Sequence, residues 1–120
     1  MLLKRLEDAV QDGDRIYGVI KGAAINHGGR ASGYTVPNPK AQSEVISQAL
    51  QEAGVSPGQI SYVEAHGTGT KLGDPIEIRA LTDAFGDVPE TCLIGSVKSN
   101  IGHGESAKRH RRCHKSVRRR

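Results

Sequence analysis

Two short apolar segments, each followed by a turn that contains a histidine, impose the strongest constraint on the fold of this 120-residue chain. They are ISYVEA at residues 60–65 and TCLIGSV at residues 91–97, and both have the length and the apolar content of short buried strands. Between them, the residues from Asp74 to about Phe85 have the pattern of a single helix. Strands that alternate with helices favour an α/β fold in which helices cover a sheet.

The upstream residues continue this alternation. Apolar residues at helical spacing predict a first helix within residues 2–10, which the turn signal DGD ends. Residues 15–26, RIYGVIKGAAIN, predict a buried strand whose glycines let another backbone approach closely. Next, Asn38 as the N-cap and Pro39 at the first helical position predict the start of a helix that Gly54 ends.

The third helix has a start signal of its own. Asp74-Pro75-Ile76-Glu77 fits an N-cap aspartate, a first-turn proline and the acid of a capping box. Two carboxylates at this spacing are also candidates for an acid–base pair, but the agreement with the capping pattern favours capping.

Charge divides the chain into two zones. The formal net charge is +4, yet residues 108–120, KRHRRCHKSVRRR, hold eight Lys or Arg and no acid. Residues 1–107 therefore hold nine basic and thirteen acidic residues, a net charge of about −4. We expect one small, partial domain over residues 1–107 and a disordered basic tail of different origin over residues 108–120.

The sequence also predicts the compartment. No apolar run approaches the roughly eighteen residues of a membrane span. The start, MLLKRLEDAV, lacks the long apolar region and the small-residue cleavage site of a secretory signal. Cys92 and Cys113 imply no disulfide framework. We therefore expect a cytoplasmic protein without a membrane partner.

Three ionisable side chains follow the two predicted strands. His66 ends the first strand, and Lys98 and His103 follow the second. Ligand sites in α/β sheets lie outside the carboxyl ends of strands. If the two strands are neighbours, both imidazoles and the ammonium converge on one pocket. Neutral imidazoles can donate N–H groups to a carbonyl that gains negative charge, so the trio fits an oxyanion hole for an enolate.

Other interpretations of these residues are weaker. The glycines of GTGTKLG have the wrong spacing for a dinucleotide fingerprint, and no phosphate-binding P-loop pattern is present. His66, His103 and Cys92 lack the short ligand spacings of a zinc site. His27 lies in a glycine-rich loop and is assigned a structural role. Glu105 either pairs with Lys98 or is solvated, and the sequence leaves both alternatives open.

Two long strings carry a resemblance to a known family. VEAHGTGTKLGDPIEIRAL at residues 63–81, followed by CLIGSVKSNIGHGESA at residues 92–107, resembles the β-ketoacyl synthases. The ketosynthase domains of modular type I polyketide synthases are the most similar, and residues 12–42 are similar to the stretch that joins the two halves of such a domain. The resemblance implies a partial thiolase-like α/β fold, a helix-covered sheet truncated at both ends.

The resemblance also implies a chemistry. In the family, a cysteine takes an acyl group, a malonyl-type extender on an acyl carrier protein loses CO2, and the resulting carbanion attacks the acyl-cysteine. His66 and His103 match the two histidines that polarise the extender carbonyl, and Lys98 matches a lysine that supports them electrostatically. Thr68 and Thr70 match threonines that bind the phosphopantetheine arm of the carrier protein. The family's domains are homodimers and bind no cofactor or metal of their own.

The chain departs from the family pattern in two places. No string resembles the nucleophile motif DTACSSSL, and neither Cys92 nor Cys113 is assigned that role. After Ala107 the family would continue into a small apolar helix, which KRHRRCHKSVRRR cannot form because buried cations need partners. A shifted reading frame or a broken gene end is the favoured account of the tail. We expect the isolated chain to be inactive in condensation.

Two further roles stay open. The basic tail at residues 108–120 could bind nucleic acid or an acidic surface, with strong salt dependence. No aromatic interleaving or nucleic-acid-binding fold supports that role. The chain could also pair with a complementary half of a synthase, because such a fragment leaves sheet edges open.

Overall fold

A computed structural model describes residues 2–28 and 38–104. The glycine-rich loop that contains His27 falls partly outside these residues. Glu105, Cys113 and the basic tail fall wholly outside them. The domain boundary at residue 107 therefore stays a prediction. The described elements are α1 (Leu6–Gln11), α2 (Pro39–Ala53), a 3₁₀ turn (Pro57–Gln59), β1 (Tyr62–Glu64), α3 (Gly73–Phe85), β2 (Leu93–Gly95) and α4 (Lys98–Ile101).

Helix α2 has the boundaries that its sequence predicts. The side-chain oxygen of Asn38 accepts hydrogen bonds from the backbone N–H groups of Lys40, at 3.0 Å, and Ala41, at 3.3 Å. Gly54 ends the helix in the left-handed region, at φ 61° and ψ 36°. Both ends are therefore stabilised by neighbouring residues, which explains why local sequence was sufficient to predict them.

The sheet is built from β1 and β2, which pair in parallel with Tyr62 opposite Leu93 and Glu64 opposite Gly95. Parallel strands need a crossover connection, and α3 supplies it. Helix α3 packs against α2. The expectation of a helix-covered α/β sheet with neighbouring strands is confirmed. Within the described residues the buried apolar side chains are small, apart from one leucine: Ala9, Ala41, Ala65, Ala80 and Leu81.

The predicted strand at residues 15–26 is wrong: these residues have no regular secondary structure. A strand is stabilised by a ladder with a neighbour, and the described ladder joins β1 to β2. The expected close approach of another backbone is nevertheless present at Gly22, where an added Cβ would lie 2.6 Å from the nitrogen of Ala53. The segment thus runs against α2 instead of joining the sheet.

Two element boundaries also differ from the predictions. The first helix spans Leu6–Gln11 and does not include Leu2 and Leu3, whose side chains are exposed. The turn predicted after the second strand contains the short helix α4 at Lys98–Ile101. None of the helices described at residues 2–28 and 38–104 combines the length and apolar character that crossing a bilayer requires.

Candidate active site

The two histidine-bearing turns meet beyond the carboxyl ends of β1 and β2. His66 lies two residues after β1 ends at Glu64, and His103 follows α4 after Gly102. The parallel pairing directs both strand exits to the same edge of the sheet. The two imidazole ring centroids are 6.0 Å apart, and the ring planes are inclined by 76°. The structure therefore brings together two side chains that are 37 positions apart in the sequence.

The glycine after His66 allows the two turns to approach. Gly67 has φ +44°, in the region that favours glycine, and a Cβ added there would lie 2.8 Å from the Cβ of Ser96. Ser96 directly follows β2. A side chain at residue 67 would therefore push the His66 turn away from the end of β2.

Glu77 and Asp74 hold this turn through its backbone. The two carboxylate oxygens of Glu77 accept hydrogen bonds from the N–H groups of His66, at 2.5 Å, and Gly67, at 2.9 Å. Asp74 accepts from the N–H group of Gly69 at 3.1 Å. Both carboxylates accept from backbone N–H groups, as capping residues do, but these groups belong to the loop before α3 and not to α3 itself.

The prediction that Asp74 is the N-cap of α3 is therefore wrong. The helix begins at Gly73, and Asp74 lies in its first turn. Thr70 supplies the capping contacts: its hydroxyl oxygen accepts from the N–H group of Gly73 at 3.0 Å, and its carbonyl accepts from Asp74 at 3.3 Å. Thr70 lies three and four positions before these two residues, so a local turn is enough for it to reach the free N–H groups at the helix start. An aspartate in the first turn still suits the helix dipole.

The two threonines assigned to the phosphopantetheine arm lie side by side. The hydroxyl oxygens of Thr68 and Thr70 are 3.4 Å apart, within hydrogen-bonding distance. The contact to Gly73 occupies an acceptor site of Thr70 and leaves its proton available for donation. Thr70 is exposed and Thr68 is half-buried.

Lys98 contacts the backbone of the first histidine. Its ammonium group donates a hydrogen bond to the carbonyl oxygen of His66. The backbone of the preceding residue, Val97, is also restrained, because its N–H group donates to a carboxylate oxygen of Glu64 at 2.8 Å. The other oxygen of Glu64 accepts from the hydroxyl of Tyr62 at 2.9 Å. A chain of polar contacts thus links β1, the exit of β2 and the His66 turn.

Sequence reasoning missed Glu64 and misjudged what Glu77 contacts. Glu64 carried a signal, because it is a charged residue inside the apolar segment ISYVEA. A carboxylate in a strand that is half-buried needs hydrogen-bond donors. For Glu77 the signal was misleading, because the capping-box pattern accounts for an acid at that position without any contact outside the helix.

Cys92 has the character of a structural cysteine. Its thiol lies 3.8 Å from the carbonyl oxygen of Leu93. Burial raises the pKa of the Cys92 thiol, which disfavours the thiolate that acts as a nucleophile. We assign no nucleophile among the described residues. His27 is exposed, and its structural role stays a prediction.

Residues 17–117 match the family described as Beta-ketoacyl synthase, C-terminal domain. The chain belongs to the β-ketoacyl synthase family. Its sequence is 62% identical over 110 residues to the polyketide synthase PksL of Bacillus subtilis, and 63% identical over 110 residues to the polyketide synthase ThaG of Burkholderia thailandensis. The alignments cover 89% and 88% of this chain, but 2% of each polyketide synthase.

Solved ketosynthase domains share the fold of this β-ketoacyl synthase segment. The Streptomyces albus oxazolomycin ketosynthase domain OzmH KS7 aligns with a TM-score of 0.82 and 52% identity, over 87% of this chain and 18% of that domain. The ketosynthase from module 6 of the Bacillus subtilis bacillaene synthase aligns with a TM-score of 0.79 and 51% identity, over 83% of this chain and 18% of that protein. The expectation of a partial thiolase-like fold is confirmed. The chain spans about a fifth of the length of these solved ketosynthases.

Proposed function

We propose that the chain supplies the decarboxylating part of a ketosynthase active site, in which His66 and His103 hold the thioester carbonyl of a malonyl-type extender. The observation that carries this proposal is the ring pair, with centroids 6.0 Å apart beyond the ends of two adjacent parallel strands. Two imidazoles at this separation can each donate an N–H group to one oxygen placed between them.

The geometry suits the loss of CO2 from a malonyl thioester. The bond between the α-carbon and the carboxylate breaks, CO2 leaves, and the electron pair moves through the α-carbon onto the thioester oxygen. Two N–H donors held on either side of this oxygen would stabilise the enolate with little reorganisation. Lys98, whose ammonium group donates to the His66 carbonyl, adds positive charge next to His66.

Thr68 and Thr70 are proposed to bind the phosphopantetheine arm, which a partner acyl carrier protein brings to the site. Their hydroxyls lie together in the loop that follows His66. The arm carries two amides, whose carbonyls accept hydrogen bonds of the kind a threonine hydroxyl donates. We further propose that the parent domain is a homodimer that works in the cytoplasm.

In condensation, the enolate carbon would attack an acyl thioester on a cysteine, forming a carbon–carbon bond and releasing the cysteine thiolate. Cys92 does not suit this step, because burial raises the pKa of its thiol. We therefore infer that the isolated chain does not form an acyl-enzyme. Incubation with an acyl thioester followed by intact-mass measurement should show no adduct, and stoichiometric acylation of Cys92 would contradict this inference.

The histidine roles can be tested in a chimera. Residues 17–104 would replace the matching segment of the module 6 bacillaene ketosynthase, to which this chain is 51% identical. His66→Ala and His103→Ala are each expected to lower the rate of CO2 release from a malonyl thioester by about 10²–10³-fold, because each removes one oxyanion donor. His27→Ala is the matched control and should leave the rate unchanged. Rates for all three variants within twofold of the unmodified chimera would refute the proposal.

A further inference from the structure

The backbone of His66 accepts hydrogen bonds from, and donates them to, charged side chains on both sides of its Cα. On one side, both carboxylate oxygens of Glu77 accept hydrogen bonds, from the N–H groups of His66 and Gly67. On the other side, the ammonium group of Lys98 donates to the His66 carbonyl oxygen. An acceptor carboxylate and a donor ammonium therefore restrain the backbone atoms that flank the Cα of one histidine.

The side chains that contact the His66 backbone come from separate elements. Glu77 is the fifth residue of α3, whereas Lys98 begins α4. Glu64 of β1 restrains the backbone just before Lys98, because it accepts a hydrogen bond from the N–H group of Val97. Because α3 packs on α2, the position of Glu77 depends on the helical layer. The orientation of His66 is consequently tied to both layers of the fold.

We propose that Glu77 is a positioning residue for His66, holding its turn so that the imidazole stays opposite His103. The proposal rests on the proposed function for its catalytic consequence, but its structural part stands on the contacts alone. Hydrogen bonds to a charged acceptor are about twice as strong as neutral ones, and two of them fix both position and direction. Glu77 does not touch the reacting atoms, so it acts only through His66.

The competing explanation is that Glu77 only stabilises the start of α3. That role is already filled, because Thr70 caps Gly73 through its hydroxyl oxygen and Asp74 through its carbonyl. Both oxygens of Glu77 instead reach across the loop to residues ten and eleven positions earlier in the chain. The two explanations differ in what they predict for a variant that keeps the size of the side chain.

Glu77→Gln is that variant, because it replaces one acceptor oxygen by an NH₂ group that faces a backbone donor. In ¹⁵N-labelled full-length chain, we expect the amide proton resonances of His66 and Gly67 to move upfield and their hydrogen exchange to quicken at least tenfold. Nuclear Overhauser contacts between the rings of His66 and His103 should weaken. The amides of Val63 in β1 and Ala80 in α3 should keep their shifts and exchange rates.

Glu44→Gln is the matched control, since Glu44 is an exposed glutamate on α2 that faces Lys40 at 3.9 Å. It should leave the His66 and Gly67 amides and the ring contacts unchanged. Unchanged amides and ring contacts in Glu77→Gln would overturn the proposal. If Glu77→Gln unfolds the chain, hydrogen exchange in the unmodified chain decides the matter. Protection of both amides above that of Gly28 supports the contact, and exchange at the rate of an unstructured peptide overturns it.

A kinetic measurement separates positioning from stability. In the chimera described above, Glu77→Gln should lower kcat of decarboxylation by about 10–10²-fold, the scale expected for a misplaced catalytic group, and leave KM unchanged. Thr68→Val should instead raise KM. An unmodified chimera that releases no CO2 would refute the proposed function alone, because the amide and ring measurements on the full-length chain still decide the positioning role. A normal kcat in Glu77→Gln would refute the positioning role alone.

Discussion

Residues 15–26 and residues 60–97 contain similar apolar, β-branched segments, but they behave differently. In the second region, β1 and β2 form a ladder, and Ala65 extends it by donating to the carbonyl of Gly95 at 2.8 Å. The first region has no ladder, and its large side chains are open to solvent, with Tyr17 86% and Ile25 94% exposed. A strand therefore depends on a neighbour that satisfies its backbone, and apolar composition alone does not form one.

The N-terminal segment, residues 2–14, also differs from the candidate active site in how its charged groups are used. There, Lys4 forms ion pairs with Asp12 and Asp14, and all three residues are exposed. Around the candidate active site, the carboxylates of Glu64 and Glu77 accept from backbone N–H groups in half-buried positions. Surface ion pairs are screened and contribute little, whereas carboxylates bound to backbone amides fix the course of the chain.

The largest expected difference between the regions lies in their apolar side chains. Leu81 of α3 is 9% exposed, whereas Ile20 is 65% exposed. Leu81→Ala should lower the free energy of unfolding by about 2–5 kcal/mol, or abolish the cooperative transition, because it empties part of the core. Ile20→Ala should change it by less than about 0.5 kcal/mol. Urea unfolding followed by circular dichroism measures both, and equal losses would break the comparison.

An intermediate effect is expected where residues 15–26 meet α2. An added Cβ at Gly22 would lie 2.7 Å from the carbonyl oxygen of Ala49, whereas one at Gly28 would meet nothing within 4 Å. Gly22→Ala should therefore cost about 1–3 kcal/mol of unfolding free energy, because backbone must shift to admit the methyl group. Gly28→Ala is the matched control and should be neutral. If both variants unfold at the same urea concentration, the contact with α2 contributes nothing to stability.

The smallest effect is expected at Lys4. Hydrogen bonds to Asp12 and then to Asp14 raise its pKa, so its contribution is present at neutral pH and is lost as the pH rises through the raised pKa. Lys4 is exposed, and solvent screens these pairs. Lys4→Met should therefore leave the urea midpoint at pH 7 and 0.15 M salt unchanged within error. A clear fall in the midpoint would show that exposed ion pairs stabilise residues 2–14 more than expected.

Prediction from the sequence succeeded where a signal and its consequence lie close together. Helix α2 begins and ends as expected because Asn38 and Gly54 act on their immediate neighbours. The pairing of β1 with β2 follows from their connection by one crossover helix. The start of α3 was misplaced because Thr70, and not Asp74, accepts from the first N–H group of the helix, while Asp74 accepts from the N–H group of Gly69 in the loop.

The sequence alone determined which residue types stand at the ends of β1 and β2: a histidine after one, and a lysine and a histidine after the other. It also determined the family, because residues 63–81 and 92–107 carry long motifs in a fixed order. Only the tertiary structure decided that the rings of His66 and His103 lie 6.0 Å apart, and that Glu77 binds the amides of the His66 turn. The physical reason is that a hydrogen bond between elements depends on how they pack, and residues ten or more positions apart become partners only after the chain folds.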